Sequence, residues 1–259
     1  MKWLAVGVLA ALALSAAPRA HADYYIIYPD EIDLGELEVE HNGDASFDHR
    51  PANNGAQTET LDFGTGLTPW WHSELEVLLD RAAGPYQPDM VDGLVSENTF
   101  LLTEPGEYWA DAAIYAEYGQ SLTTGNRAGP NEVTFGPLFQ KDIGRTTHTV
   151  NLLLTRQLGP DQTTQGLDFS YAWQSRWNLW APLSPAIEIY GGTGILGQVP
   201  RIARQQLLVG PVAVGQLGLS ALGLGHAGKI KYEIGWLFGA TTASPQGTLR
   251  WRLELEIPF

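Results

Sequence analysis

The residues most able to do chemistry are carboxylates spaced two positions apart. Glu-x-Glu occurs at Glu74 and Glu76, at Glu254 and Glu256, and again within 36–40. Two carboxylates at a set separation can hydrolyse glycosides if the pKa of one of them is raised. Because the same spacing recurs in three separate segments, it describes the composition of a surface better than a single catalytic pair. We therefore expect no glycosidase site.

Serine–histidine catalysis is the second chemistry to consider, since a Ser–His dyad with a polar orienting group can hydrolyse lipids. His72 adjoins Ser73, but neighbouring side chains on a strand point to opposite faces. No His-x-Ser pair occurs anywhere in the sequence. A serine reaching His41 from another strand stays open as an alternative. We expect no enzymatic activity.

Amino-acid composition excludes several other classes of function. The chain has 259 residues, a net charge of −14 and no cysteine. Excess acid argues against a nucleic-acid partner, and the lack of cysteine excludes disulfides, zinc–thiolate sites and cysteine nucleophiles. Asp44, Asp48 and His49, with Asp89 and Asp92, lack the spacing of a calcium loop. We expect no metal site and no cofactor.

The N-terminus reads as an export signal. Lys2 is followed by an apolar run from Trp3 to Ala17 and by the small-x-small pattern Ala20-His21-Ala22. This order is typical of a cleaved signal peptide, and the run is too short for a transmembrane helix. We therefore predict a signal peptide at 1–22, a short periplasmic segment at 23–32, and a β-barrel within 23–259.

Alternation of apolar and polar residues organises the rest of the chain. It is clearest at 249–259, where apolar residues alternate with Arg250, Arg252, Glu254 and Glu256, and a period of two predicts a strand. Comparable segments give about twelve strands, at 36–40, 60–67, 71–80, 94–103, 108–118, 132–141, 148–155, 167–174, 185–191, 206–215, 230–238 and 249–259. The sequence thus predicts an all-β, transmembrane, antiparallel up-and-down barrel, since tilted strands of about 9–11 residues cross a bilayer.

Loop lengths and aromatic residues agree with that fold. Connections after even strands are mostly short (68–71, 103–107, 142–146 and 178–184), and those after odd strands are mostly longer, beginning with 42–57. The long connection at 216–228 breaks this pattern. Trp70, Trp71, Trp177 and Trp180 would lie at one end of the barrel, with Trp236 and Trp251 at the other. Two aromatic girdles are typical of membrane interfaces.

Several motifs resemble those of uncharacterised proteobacterial outer-membrane β-barrel proteins. They are the stretch 98–109 followed by Asp111, Gly136-Pro137-Leu138 with Gln140, Tyr171-x-Trp173-Gln174-x-Arg176, Gly210-Pro211 and Leu237-Phe238-Gly239. The last strand also resembles the assembly signal of Gram-negative outer-membrane barrels, carried by Trp251, Leu253, Leu255, Ile257 and Phe259. The resemblance implies an outer-membrane location. It also implies outer-membrane lipid and lipopolysaccharide, the barrel assembly machinery and periplasmic chaperones as partners.

The polar face of the strands would line a narrow lumen. The candidate selectivity residues on that face are Glu36, Glu38, Glu40, Glu74, Glu76, Asp111, Glu117, Arg176, Glu188, Lys231, Glu233, Arg250, Arg252 and Glu254. Acids outnumber bases, and such a wall favours cations in a pore. Closure of the last strand onto the first would set Arg250 and Arg252 beside 36–40.

Three functions follow as alternatives. The first is a narrow pore or transporter for small cationic or neutral solutes. The second is a non-conducting structural or interaction barrel whose lumen is filled by salt bridges. The third is a lipid-modifying outer-membrane hydrolase, which the histidine pattern supports least.

Overall fold

A computed structural model describes residues 25–28, 32–125, 128–224 and 227–259. The predicted signal peptide at 1–22 lies outside the described residues, as does His226.

The described chain forms twelve strands. They are β1 (Glu36–Phe47), β2 (Gln57–Thr68), β3 (Trp71–Arg81), β4 (Met90–Leu101), β5 (Asp111–Ser121), β6 (Asn131–Ile143), β7 (Thr146–Leu158), β8 (Asp168–Trp177), β9 (Ser184–Ile195), β10 (Gln206–Gly218), β11 (Lys229–Gly239) and β12 (Gly247–Pro258). Short 3-10 helices at Ile202–Arg204 and Leu219–Leu222 lie in connections. Within the described ranges, no helix is both long and apolar enough to cross a membrane.

Each strand pairs with its sequence neighbours, and β12 pairs antiparallel with β1 to close the barrel. The closing seam runs from Glu36 opposite Pro258 to Phe47 opposite Gly247. A closed sheet leaves no edge strand, so every strand can find backbone partners without water, as a bilayer requires. The predicted barrel and its strand number are confirmed.

The two ends of the barrel differ in their connections. We call the end where β1 begins the turn end, and the opposite end the loop end. Very short connections at 69–70 and 144–145 lie at the turn end. The long connection predicted at 216–228 is present at the turn end as 219–228. The connection at 102–110 is longer than the predicted 103–107. The first loop, expected at 42–57, is only 48–56, because β1 continues to Phe47.

The outer face of the barrel is apolar. Leu75 is 66% exposed, Ile187 53% and Leu253 52%, and each alternates with a buried polar neighbour on its strand. Large apolar surface exposed on all sides of a closed barrel is the surface that lipid covers. Trp70 and Trp180 are exposed in turn-end connections, while Trp236 lies beside Phe47 near the loop end. The two predicted girdles are therefore present.

The lumen as candidate functional site

The lumen is lined on one side by rows of carboxylates. Cross-strand partners share a face of the sheet, and Glu74 lies opposite Glu97, which lies opposite Glu117. A second row runs from Glu40 through Asp62 to Glu76, as set by the pairing of β1, β2 and β3. The wall from β1 to β5 is thus strongly acidic, and its charges need protons or cations nearby.

The lumen-facing positions follow the predicted alternation along each strand. The fourteen candidate residues all fall on the inward register, including the buried Glu38, Glu40, Glu76, Glu117, Glu188, Arg250 and Glu254. Asp111 lies at the rim of the turn end, where its carboxylate accepts a hydrogen bond from the Gly106 amide at 2.6 Å. Glu97 also faces the lumen, although the ambiguous alternation of 94–103 did not reveal it. No other feature of the sequence indicated whether the Glu97 side chain faces the lumen or the outer surface of the barrel.

Arg250 lies at the centre of a buried ion cluster. Its guanidinium is 1% exposed and donates to Glu188 at 2.8 Å and to Glu233 at 2.6 Å. We expected Arg250 to pair with the 36–40 segment. That was wrong, because its partner across the seam is Asp44 and its side chain turns towards β9 and β11 instead.

The seam itself is held by other cations. Arg252 donates to Glu40 from Nε at 2.5 Å and to Glu254 from Nη2 at 3.0 Å, so its predicted pairing with 36–40 is present. Lys231 contacts Glu254 at 3.1 Å and also pairs with Glu256. Lys229 contacts Glu256 at 2.5 Å and Asp33 at 3.0 Å. Bases late in the chain therefore neutralise the acids beside the closing strand.

Arg176 and Glu36 complete the charged lining near the turn end. Arg176 donates to Asn178 at 3.0 Å, and Glu36 lies 3.8 Å from Lys229.

Residues 25–28, which we call the lumen segment, cross the interior of the barrel. All four side chains are buried. Asn151 on β7 donates to the Tyr28 carbonyl and accepts from the Tyr28 amide, both at 3.0 Å. Gln206 donates to the Tyr25 hydroxyl at 2.6 Å. We expected 23–32 to lie outside the barrel in the periplasm, but residues 25–28 of this segment lie inside the barrel.

The lumen segment is held because parts of the barrel wall are apolar. Tyr25 and Ile27 pack on one side with Tyr190 and Leu208, and Ile26 and Tyr28 pack on the other side. The Tyr28 ring lies 4.3 Å from the Tyr115 ring, centroid to centroid. Burying these side chains removes apolar lumen surface from water. A signal was available in the sequence, since the run Tyr24-Tyr25-Ile26-Ile27-Tyr28 follows the predicted cleavage site.

Open space remains at both ends of the lumen. A cavity of about 450 Å³ is lined by Ile27 and by residues of the turn-end connection 178–183. A cavity of about 640 Å³ is lined at the loop end by residues of the connections 48–56, 82–89 and 240–246. Both are wide enough for water and small solutes. Between them lie the lumen segment and the Arg250 cluster.

Four histidines in the described part of the chain have polar side-chain partners. His41 contacts Glu59 at 3.1 Å, His49 contacts Asp48 at 3.4 Å and His72 contacts Glu38 at 3.2 Å. His148 contacts the Thr146 hydroxyl at 3.0 Å. These contacts are to acids and to a threonine.

Comparison with known proteins gives fold likeness alone. No family model matches the sequence, and no curated protein matches it. Among solved structures, the chain is similar to OccD1 (OprD), with 10% identity and a TM-score of 0.38 over 86% of this chain and 65% of that one. It is also similar to a bacterial polysaccharide outer membrane secretin, with 10% identity and a TM-score of 0.41 over 89% of this chain and all of that one. Likeness this low supports no inference about activity.

Proposed function

We propose that this protein is a narrow outer-membrane pore for small cationic or neutral solutes, closed in this conformation by its own lumen segment. The observation that carries the proposal is the pair of end cavities separated by residues 25–28. Residues 25–28 lie between the two cavities together with the Arg250 cluster, so movement of this short segment would widen the path between them.

The charge of the wall sets the expected selectivity. Glu38, Glu40 and Asp62 line the lumen between the end cavities, and rings of carboxylates favour cations over anions. The solute itself is not specified by these residues. We therefore propose a preference by charge and size, with no single transported molecule.

Outer-membrane location is part of the same proposal. The apolar outer face, the aromatic girdles and the apolar outward residues of β12, such as Leu253, support it. The turn end would face the periplasm, as the shorter connections do in outer-membrane barrels. Lipopolysaccharide and outer-membrane lipid would contact the apolar face, while periplasmic chaperones and the barrel assembly machinery would receive the unfolded chain.

Deleting Phe259 should leave the protein in the periplasm. Cell fractionation would measure how much of the variant is lost from the outer-membrane fraction.

Planar-bilayer recording tests conduction. We expect rare current steps from the wild-type barrel and frequent cation-preferring steps when 23–28 is deleted. Asn151→Ala removes both side-chain bonds to Tyr28 and should increase opening without removing the segment. Thr149→Ala is the matched control on the same strand face, because Thr149 bonds to Gln140 at 2.9 Å and not to the segment.

A non-conducting barrel is the second candidate function. It is favoured by the filled centre of the lumen, where Arg250, Glu188 and Tyr190 are almost fully buried. Absence of current from wild type, the deletion and Asn151→Ala, all shown to be folded by heat-modifiable gel migration, would contradict the pore and support the structural barrel. No comparable observation in the described part of the chain favours a lipid hydrolase.

A further inference from the structure

We infer that the lumen contains a binding site for one divalent transition-metal ion, such as Zn²⁺, formed by Glu38, His72 and Glu74. One ligand atom from each of these side chains lies within 4.8 Å of the other two. His72 Nε2 is 3.2 Å from the Glu38 carboxylate. Zinc–ligand bonds are about 2.0–2.2 Å, so movements of less than about 1 Å would bring all three atoms onto one ion. The inference does not depend on conduction.

A glycine makes this convergence possible. Gly64 on β2 lies opposite both Glu38 and Glu74 in the two ladders that it joins. A Cβ atom at Gly64 would lie 2.6 Å from Glu74 Cγ and 2.7 Å from Glu74 Oε1. The Glu74 side chain therefore lies across β2, over the space that a larger residue would fill, and approaches Glu38 from the far side.

The charges already present leave these ligands in need of a cation. Arg252 is occupied by Glu40 and Glu254. The nearby Lys231 pairs with Glu254 and Glu256. His72 is the base that contacts Glu38 directly, and one imidazole with two carboxylates is a ligand set that zinc and other first-row divalent metals bind.

Buried oxygens around the same space give an independent reason. A cavity of about 50 Å³ is lined by the three ligands together with Asn42 and Asp62. Asn42 is 4% exposed and Asp62 5%. Among the residues that the structure describes, Asn42 Oδ1 and Asp62 Oδ1 are buried oxygens with no hydrogen-bond partner. Buried acceptors without donors are costly, and a cation with its bound water would satisfy them.

The ligand set selects the class of ion. Calcium takes six to eight oxygen ligands in a roomier site. One imidazole and two carboxylates in a small, largely enclosed cavity suit zinc and its first-row neighbours, with water as the fourth ligand. His72 has a side chain only 13% exposed, so exchange of the ion with solvent should be slow.

The test is metal retention by the untagged, folded barrel. Protein stripped with EDTA would be dialysed against Zn²⁺ and analysed for bound metal and thermal stability. We expect one Zn²⁺ per chain, a melting temperature that rises with Zn²⁺, and a Co²⁺ derivative with visible d–d absorption. Ca²⁺ at the same concentration should not compete. Wild-type barrel that retains no Zn²⁺ after dialysis would overturn the inference.

Variants separate this site from general binding to acidic surface. His72→Gln and Glu74→Gln should each weaken Zn²⁺ binding at least tenfold. His41→Gln is the matched control, because His41 also contacts a glutamate, Glu59, but lies on the outer face and should leave binding unchanged. Gly64→Ala retains all three ligands and should still weaken binding, since its Cβ displaces Glu74. Equal binding by wild type, His72→Gln and Gly64→Ala would show nonspecific carboxylate binding and contradict the site.

Conduction is measured independently of metal binding, so the two proposals can fail separately. If Zn²⁺ binds while bilayer recordings show no current from the 23–28 deletion, the metal site stands and the pore does not. If current is seen without bound metal, the pore stands and the metal site does not.

Discussion

At the scale of single residues, the lumen combines fully buried charges with specific partners. Arg250 is 1% exposed, and Glu188, which it contacts, is fully buried. Gln174 and Tyr190 donate to the same carboxylate at 2.7 and 2.8 Å. A charge this deeply buried is tolerated because its partners replace the lost hydration. Removing one partner leaves the remaining charge buried without compensation, which destabilises the fold.

Arg250→Gln should therefore destabilise the barrel by about 3–5 kcal/mol, the usual cost of breaking a buried pair. Arg252→Gln should cost less, because Asn42 still donates to Glu40 and Lys231 still contacts Glu254. Unfolding in urea, followed by tryptophan fluorescence, measures both. Replacing both arginines should lower the melting temperature more at low salt, where repulsion among the carboxylates is less screened. Equal, small losses for the two single variants would contradict the central role of Arg250.

A loop residue outside the membrane provides a pH-dependent contact. Arg50 donates to Asp48 and also to the Thr242 and Ser244 carbonyls at 2.6 and 2.7 Å, so it joins the loop 48–56 to 240–246. These hydrogen bonds from Arg50 hold the pKa of Asp48 well below its ordinary value. A depressed carboxyl pKa stabilises the folded loop above the ordinary value of about 4 and loses that effect as pH falls below it.

We expect the loop 48–56 to become more sensitive to an acid-active protease when pH falls from about 4 towards the lower pKa of folded Asp48. Asp48→Asn should show sensitivity that changes little over the same range, since it has no proton to gain. Mass spectrometry of the cleavage products would locate the cuts. A wild-type loop whose cleavage is as independent of pH as that of the variant would contradict the role of this ion pair.

At the scale of elements, two Gly-Pro pairs each interrupt the ladder between two adjacent strands in the same way. The β6–β7 pairing skips from Phe135 to Leu138, and the β10–β11 pairing skips from Val209 to Val212. Proline has no amide hydrogen to donate, and the preceding glycine allows the next strand to come closer. A Cβ at Gly210 would lie 1.9 Å from the Trp236 carbonyl oxygen. The resemblance motifs at 136–138 and 210–211 thus have a structural explanation.

Gly210→Ala should destabilise the barrel by about 1–3 kcal/mol through overpacking against backbone. Gly119→Ala is the control, because its Cβ would meet its nearest neighbours at 3.7 and 3.8 Å, which is ordinary contact. Urea unfolding compares the two variants. Similar midpoints for both would show that the strand interruption can relax.

At the scale of the whole molecule, the barrel is turned inside out relative to a soluble protein, because many of its charged side chains face the lumen and its outer surface is largely apolar. Leu152 lies at the middle of β7 and faces outward, whereas Leu158 ends the same strand. The cost of a charge on the lipid face depends on depth. These two leucines therefore report the position of the bilayer along the barrel.

Leu152→Arg should cost about 2–4 kcal/mol, and Leu158→Arg about 0–1 kcal/mol, if the membrane midplane crosses the middle of β7. Reversible unfolding from lipid vesicles gives both values. An equal cost at the two positions would contradict a bilayer centred on the strands.

The sequence by itself determined the barrel, its strand number and the side of most residues. Alternation with period two is a local property, so Leu253 and Glu254 could be assigned to opposite faces without knowledge of their neighbours. The long connection at 219–228 was also visible locally. Where alternation was weak, as in 94–103, the side of Glu97 was not predictable.

Only the tertiary structure decided which charges meet and what fills the lumen. Arg250 pairs with Glu188, 62 residues away, and Asn151 holds Tyr28, 123 residues away. Such contacts depend on the barrel's closure, on side-chain direction across the lumen and on the space left by Gly64, none of which has a local period in the sequence. The same reason explains why Glu38, His72 and Glu74 were not recognised as a set, since three strands must pair in register before their side chains converge.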